Sequence, residues 1–414
     1  MINSKIYKHL FESGLAFLAL VMLVLPNFIT VALLLFLVVL IIGGVKKEIS
    51  LHWNLINTLF VLFYLIYFVG SFYTNNQGLA NKYLEYKLVF LVFPLIFSFK
   101  LKGGLSIQKP VLAAISGVLI LSIFGVVHSN QLYLENGSIS SFFGSNFSYI
   151  HHPTYYSLYA LFSLASLQEV FRKRWLGKYK ITYLLVGLWL IVIQLISVSL
   201  AGILFLLLFA GVIFLLKVKG RFGVKWFLTT LIISPILLIG ILNYTPGLKT
   251  QFNTTIKYIK EYVKDPVSFI EVEQTYVQGD EVRLIMWTVT LLEIIDHPFG
   301  VGTGNSDDHL HERLLEYQQF KVAKINYNPH NQFLQTTLEI GVVGLGVFLF
   351  IIGYSVYQGW RHKNNLLLAL TFCLAFNCLF ESMLQRQSGI VFYTFWICLL
   401  VAVNLNPKIE LDKG

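Results

Sequence analysis

Charge is scarce in this chain: Asp, Glu, Lys and Arg make up 13% of its 414 residues, where soluble domains carry about a quarter. With 56% hydrophobic residues and a mean hydropathy of +0.69, that shortage excludes an ordinary soluble domain and predicts a polytopic membrane protein. Cysteine is also rare. Cys373, Cys378 and Cys398 all lie in apolar stretches, which excludes a disulfide framework and a thiolate metal site and leaves them as small hydrophobes. No group of ligand-type residues has metal-binding spacing: Asp307, Asp308, His309 and His311 are neighbours in sequence, and adjacent residues on a helix do not converge. Neither a metal nor a cofactor is expected. No small-residue cleavage site follows Leu25, so the first apolar segment is expected to stay as a span. The formal charge of +10 falls in short runs beside apolar segments, which marks topology and lipid headgroups rather than nucleic acid.

What is abundant is apolar sequence in helix-length pieces. A bilayer core needs about 20 apolar residues per helix, and on that ruler about twelve spans are predicted. The fold class is therefore all-α, a polytopic bundle with a long, folded, mainly helical loop on the outer face. Residues 1–246 hold spans one to nine, 247–330 the loop, and 331–414 spans ten to twelve. With the N-terminus inside, Lys5, Lys8, Lys46, Lys47, Lys100, Lys102, Arg172, Lys173, Arg174 and the basic residues near Lys217 all fall on the inner side. The short outer loops and adjacent helix ends hold only Lys82, Lys87 and Arg386, which predicts cytoplasmic termini.

The segment from Gly247 to Pro329 has too many periodic apolar residues to be a linker. Phe252, Ile256, Ile259 and Val263 suggest one amphipathic helix, 282–295 a second and Leu310 to Tyr317 a third. Twelve of the chain's 21 acidic residues lie here. This region has the material for a polar site.

His330 stands at the end of that segment, where Pro329 sets the entry into the tenth span, with Asn331 and Gln335 on the same helix start. A neutral imidazole with an ordinary pKa near 6.5 can take a proton from a sugar hydroxyl at physiological pH. The alternative is a histidine that only caps the span, and spacing alone does not separate the two. Arg283 on the second loop helix suits phosphate, the alternative being a salt bridge to Asp280 or Glu281. Glu381 and Arg386 near the eleventh span form either a functional or a structural ion pair. His151 and His152, with Tyr155 and Tyr156, line a glycan path or anchor an interface. Gly300-Val301-Gly302-Thr303-Gly304-Asn305 resembles a phosphate-cradling loop but lacks a preceding strand and a Walker lysine, so it is weak as a nucleotide motif, although its N–H groups could face an anion. The small residues from Gly341 to Gly346 suggest close helix packing.

In order, Arg283 with Trp287, His297-Pro298-Phe299-Gly300 through Asn305, Pro329-His330-Asn331, and Leu334-Gln335 with Glu339-Ile340-Gly341-Val342-Val343-Gly344 resemble the O-antigen ligase family. That family includes O-antigen polymerases and protein O-oligosaccharyltransferases. The resemblance implies a metal-independent inverting glycosyltransferase of the membrane GT-C type, working on the periplasmic face of a bacterial inner membrane. It implies an undecaprenyl-pyrophosphate-linked glycan as donor, a lipid A-core or other glycolipid as acceptor, His330 as catalytic base and Arg283 as donor pyrophosphate ligand. Gly302, Asn305, Asn331, Gln335 and Glu381 are supporting positions. A polymerase of the same family is the alternative activity. A flippase or transporter is a further one, disfavoured because most spans look uninterrupted and uncharged. The chain departs from the family at one place: where Ser-Arg-Gly is usual it reads Ser199-Leu200-Ala201-Gly202. A second cation is therefore expected from Arg386, Lys321 or Lys324.

Overall fold

The computed structural model describes residues 3–177, 180–199, 201–208, 211, 256–271 and 280–405. In chain order its helices are α1 (Ser4–Val24), α2 (Ile29–Val45), α3 (Leu55–Gly70), α4 (Gln77–Lys87), α5 (Val89–Phe97), α6 (Gln108–Asn136), α7 (Pro153–Arg172), α8 (Lys180–Ile196), α9 (Pro266–Ile270), α10 (Asp280–Asp296), α11 (Ser306–Glu316), α12 (Phe320–Ile325), α13 (Gln332–Arg361), α14 (Asn365–Asn377) and α15 (Gln387–Leu405). Residues 201–208 and 256–264 are also helical.

Among the described residues five helices are long and apolar enough to cross a bilayer: α1, α2 with its leading turn, α6, α13 and α15. Helices α3, α8 and α14 are apolar but shorter, at 16, 17 and 13 residues. The span expected at Trp226–Tyr244 lies outside the described residues, as does the latter part of that at Ala201–Leu216 apart from Gly211. The expected element Phe252 to Val263 is helical over 256–264, and Phe252 is likewise outside them.

Several described elements differ from the sequence expectation for identifiable reasons. The expected span Tyr83–Phe99 divides at Leu88 into a polar α4 and a nine-residue apolar α5, which contains Pro94. Helix α6 continues through Ser129 to Asn136, a stretch expected to be loop, because polar residues beyond an apolar core propagate a helix until a glycine stops it. Gly137 does so here at φ 66°, donating its N–H to the Tyr133 carbonyl. Finally, α13 is broken at Ile340 (φ −131°) and Gly341 (φ 71°), where close packing of an intact helix was expected.

The break is filled by the loop after α10. Val301 and Gly302 donate N–H bonds to the Leu338 and Glu339 carbonyls (2.8 and 3.1 Å), and Val342 donates to the Pro298 carbonyl (3.0 Å). The carbonyls freed by the interruption are thereby paired, as apolar surroundings demand. Glycine is required at the crossing: a Cβ on Gly341 would lie 2.4 Å from the Phe299 carbonyl carbon, and one on Gly300 2.6 Å from the Gly341 nitrogen.

Among the described residues two hydrophobic cores result. The larger joins α1 to α8 with α13 to α15, and the smaller, including Ile270, Val282, Ile285, Met286, Leu310 and Leu314, packs α9 to α12 against Leu338 of α13. At the opposite end, β1 (Ile49–Leu51) and β2 (Phe99–Leu101) pair antiparallel with Ser50 opposite Lys100. Lys109 reaches the His9 carbonyl there (3.1 Å), so the N-terminus and both lysine-bearing turns share one end of the bundle.

Candidate active site

His330 is held by local chemistry before any tertiary contact acts. Asn328 Oδ1 accepts the His330 N–H (2.9 Å) in a turn that puts His330 at φ 48°, and Asn331 caps α13 by accepting the N–H groups of Phe333 and Leu334. The segment 378–386 then zips along this entry. Gln332 N–H donates to the Cys378 carbonyl (2.8 Å), Leu384 N–H to Gln332 Oε1 (2.6 Å) and Asn331 Nδ2 to the Leu379 carbonyl (3.3 Å). Those bonds set Glu381 beside His330, with Oε2 3.4 Å from Nδ1. The eleventh span was expected to run to Leu384. It stops at Asn377, and the irregular backbone that follows carries the carboxylate.

A carboxylate at Nδ1 favours the tautomer with its proton there, leaving Nε2 as the basic nitrogen. Burial pushes the Glu381 carboxyl up, but the His330 hydrogen bond, the nearby His330 and His152, and the Ser382 N–H outweigh it and hold it below the usual carboxylate value. His152 is pushed down, first by burial and then by Arg386 and His330, against the pull of Glu381. A neutral imidazole is thus favoured there.

These groups open into a cavity of about 740 Å³. Its wall combines His152 and Thr154 at the start of α7, Ser199 and Ala201 from the turn after α8, Tyr262 from 256–264, Arg283 and Trp287 from α10, and His330 and Glu381. Arg283 is half-buried in this wall. Helix α10 supplies it because Val282, Ile285, Met286 and Val289 bury the opposite stripe, which turns positions 283, 284 and 287 to the cavity. The Trp287 indole N–H has no hydrogen-bond partner among the described residues. Deeper along α7, an apolar pocket of about 230 Å³ lies between Leu158, Leu161 and Phe162, Phe205 and Leu206, and Leu370 and Cys373 of α14.

Other sequence candidates fall elsewhere. Gln335 is buried and donates to Ser306 Oγ (3.2 Å) and Glu339 Oε1 (3.0 Å), away from His330. Gly302 and Asn305 belong to the loop that fills the α13 break. Asn305 Nδ2 donates to the Val301 carbonyl, and the N–H groups of Val301, Gly302 and Thr303 are spent on carbonyls, so these three do not face an anion. Lys321 and Lys324 are exposed on α12, outside the cavity wall. Arg386 is exposed at the start of α15, close enough to act on His152 and Tyr155 through its charge. Leu200 is outside the described residues, but Ser199 and Ala201 on either side line the cavity. His151 is tied to Ser388 Oγ (3.0 Å) and the Leu23 carbonyl (2.6 Å), which leaves the cavity to His152.

A second polar cluster was invisible to sequence reasoning. Lys87 and Glu339, both with fully buried side chains, lie 4.0 Å apart. Gln385 bridges them, donating to Glu339 Oε1 (2.7 Å) and accepting from Lys87 Nζ (3.4 Å). The Lys87 ammonium lies over the rings of Tyr67 and Tyr83. The premise that the spans are uninterrupted and uncharged therefore does not hold at α13. Glu293, His297 and His309 also converge, from α10, its C-terminal end and α11. Adjacent residues on one helix cannot do so, but residues from two packed helices can.

Comparison with known proteins bears on the same region. Residues 185–349 match the family model described as O-antigen ligase. Curated relatives carry the name "Putative polysaccharide ligase". The one from Rickettsia bellii is 24% identical over 137 residues, 32% of this chain and 34% of that protein. The one from Rickettsia felis is 26% identical over 143 residues, again 32% and 34%. The matched part of this chain thus spans about a third of the length of these relatives.

Proposed function

We propose that this chain is a membrane glycosyltransferase that moves a glycan from undecaprenyl pyrophosphate to a lipid A-core or similar glycolipid acceptor, a reading that the match of residues 185–349 to the O-antigen ligase model supports. The work would be done at the periplasmic face of a bacterial inner membrane, with both termini in the cytoplasm. One observation carries the reading: a single cavity gathers a carboxylate-oriented histidine, an arginine and an indole donor above an apolar pocket of the right kind for a prenyl chain.

In this reading His330 Nε2 takes the proton of the acceptor hydroxyl as its oxygen attacks the anomeric carbon. The bond from that carbon to the pyrophosphate breaks with inversion, and undecaprenyl pyrophosphate leaves with the electron pair. Arg283 pairs with the developing phosphate charge, and Arg386, the candidate cation with a charge effect on a cavity residue, supplies the second positive field. The pyrophosphate is already a good leaving group, so deprotonation, positioning and charge stabilisation suffice.

The test is transfer by purified protein from a defined lipid-linked donor to lipid A-core. His330→Ala should abolish product while the protein inserts at normal levels, and retained transfer would exclude His330 as the base. A polymerase remains the competing activity within the family. Deleting a ligase leaves long polymer unattached to lipid A, whereas deleting a polymerase leaves single repeat units attached. The break in α13 gives a transporter little support, since the loop 298–304 occupies it and takes up its free carbonyls.

A further inference from the structure

We propose that Glu293, His297 and His309 form a structural site for a borderline-soft divalent cation, Zn²⁺ in the first place, which clamps α10 to α11 apart from the His330 cavity. Glu293 and His297 stand at i and i+4, so one face of the α10 end presents both. The first turn of α11 brings His309 to the same carboxylate oxygen: His309 Nδ1 lies 2.7 Å and His297 Nε2 3.3 Å from Glu293 Oε1. All three ligand atoms fall within 4.8 Å of one another. An ion about 2.0–2.2 Å from each of three tetrahedral ligands needs separations of roughly 3.3–3.6 Å. The His297 separation from Glu293 Oε1, 3.3 Å, already lies in that range and the 2.7 Å of His309 falls short of it, so rotation of the imidazoles would admit the ion.

The surroundings are those of a metal site rather than of a lone hydrogen-bonded carboxylate. Glu293 Oε2 is held by Arg313 Nε at 2.8 Å, which fixes the carboxylate plane and leaves Oε1 facing the imidazoles. Arg313 is itself matched by Asp296 and by Glu316. Three carboxylates against one guanidinium leave the cluster two negative charges, the complement of a divalent ion. Two imidazoles and one carboxylate suit Zn²⁺ and similar ions rather than Mg²⁺ or Ca²⁺. Glu293 is buried, whereas the His297 side chain is 44% exposed, so entry and a fourth, solvent ligand are available on that side. None of the three lines the His330 cavity. The ion would fix the turn 298–304 that fills the α13 break, and the proposal is independent of the transfer chemistry.

The experiment uses the untagged full chain in detergent, stripped with chelator and titrated with Zn²⁺ against a chromophoric competitor, with Mg²⁺ as comparator. One equivalent of Zn²⁺ should bind at micromolar or tighter affinity, Mg²⁺ should not compete, and Co²⁺ should give the d–d absorption of a four- or five-coordinate ion. Glu293→Gln strands Arg313 and is open to misfolding. The deciding variants are therefore His297→Gln and His309→Gln, each expected to weaken binding by at least about 10-fold with thermal unfolding of the stripped protein little changed. Substoichiometric uptake, or uptake equal in wild type and both histidine variants, would overturn the site.

Discussion

At the scale of the residue, the proposed transfer turns on which atom of His330 is free. With Glu381 at Nδ1, the basic Nε2 would be left for an acceptor hydroxyl, and the carboxylate would stabilise the imidazolium so formed. Glu381→Gln should therefore slow transfer by about 10²-fold or more in a purified assay while leaving donor affinity almost unchanged. An unaltered turnover would show that the carboxylate does not orient the base. The same group carries a pH signature. Its folded-state pKa is depressed, so its contribution to stability is complete above the ordinary carboxylate value and is lost as pH falls through the lower folded one. Thermal midpoints of wild type and Glu381→Gln should differ at pH 7 and draw together as pH falls below the ordinary carboxylate range. For Arg283, the planar fork matters as much as the charge. Arg283→Lys should lose roughly 10-fold in kcat/KM for the lipid-linked donor, the equivalent of one charge-assisted hydrogen bond, and Arg283→Ala more.

At the scale of the element, α13 is two helices joined at a glycine that no other residue replaces. Gly341→Ala combines a left-handed φ of 71° with a Cβ driven into the Phe299 backbone. Strain alone is worth roughly 1–3 kcal/mol, and the clash adds to it. Lower yield and a lower unfolding temperature in detergent should result, whereas Gly346→Ala, whose Cβ meets nothing within 4 Å, should be silent. Equal stability of the two variants would mean that the loop–helix crossing is not tight. The small residues after Glu339 were legible as close approach, but not as a break, because the Gly-rich loop that pairs the freed carbonyls lies about 40 residues upstream.

Across the whole molecule, the Lys87–Glu339 pair ties α4 and α13 to the irregular segment bearing Glu381, through Gln385. Lys87→Met should destabilise by roughly 3–5 kcal/mol because it leaves Glu339 buried without its counter-charge, and adding Glu339→Gln should recover part of the loss. Chemical or thermal unfolding of both variants in one detergent measures the difference. A double variant no more stable than Lys87→Met would show that the two charges are not coupled.

The sequence by itself determined the membrane class, the loop helices, His330 at the mouth of a helix and Arg283 on an apolar helix, because hydrophobic periodicity and helix-entry chemistry are local. It also held the resemblance that the match over residues 185–349 supports. Only the tertiary structure decided which polar groups meet. His152, Ser199, Arg283, Trp287 and Glu381 come to one cavity from four separate segments, and Gln335, on the helix that His330 precedes, donates to Ser306 of α11, 29 positions away. Lys87 and Glu339, 252 positions apart, are a pair only once the bundle has closed around them. Local pattern fixes a residue's neighbours within a turn or two, whereas partners across such separations are chosen by packing, which no stretch of sequence displays.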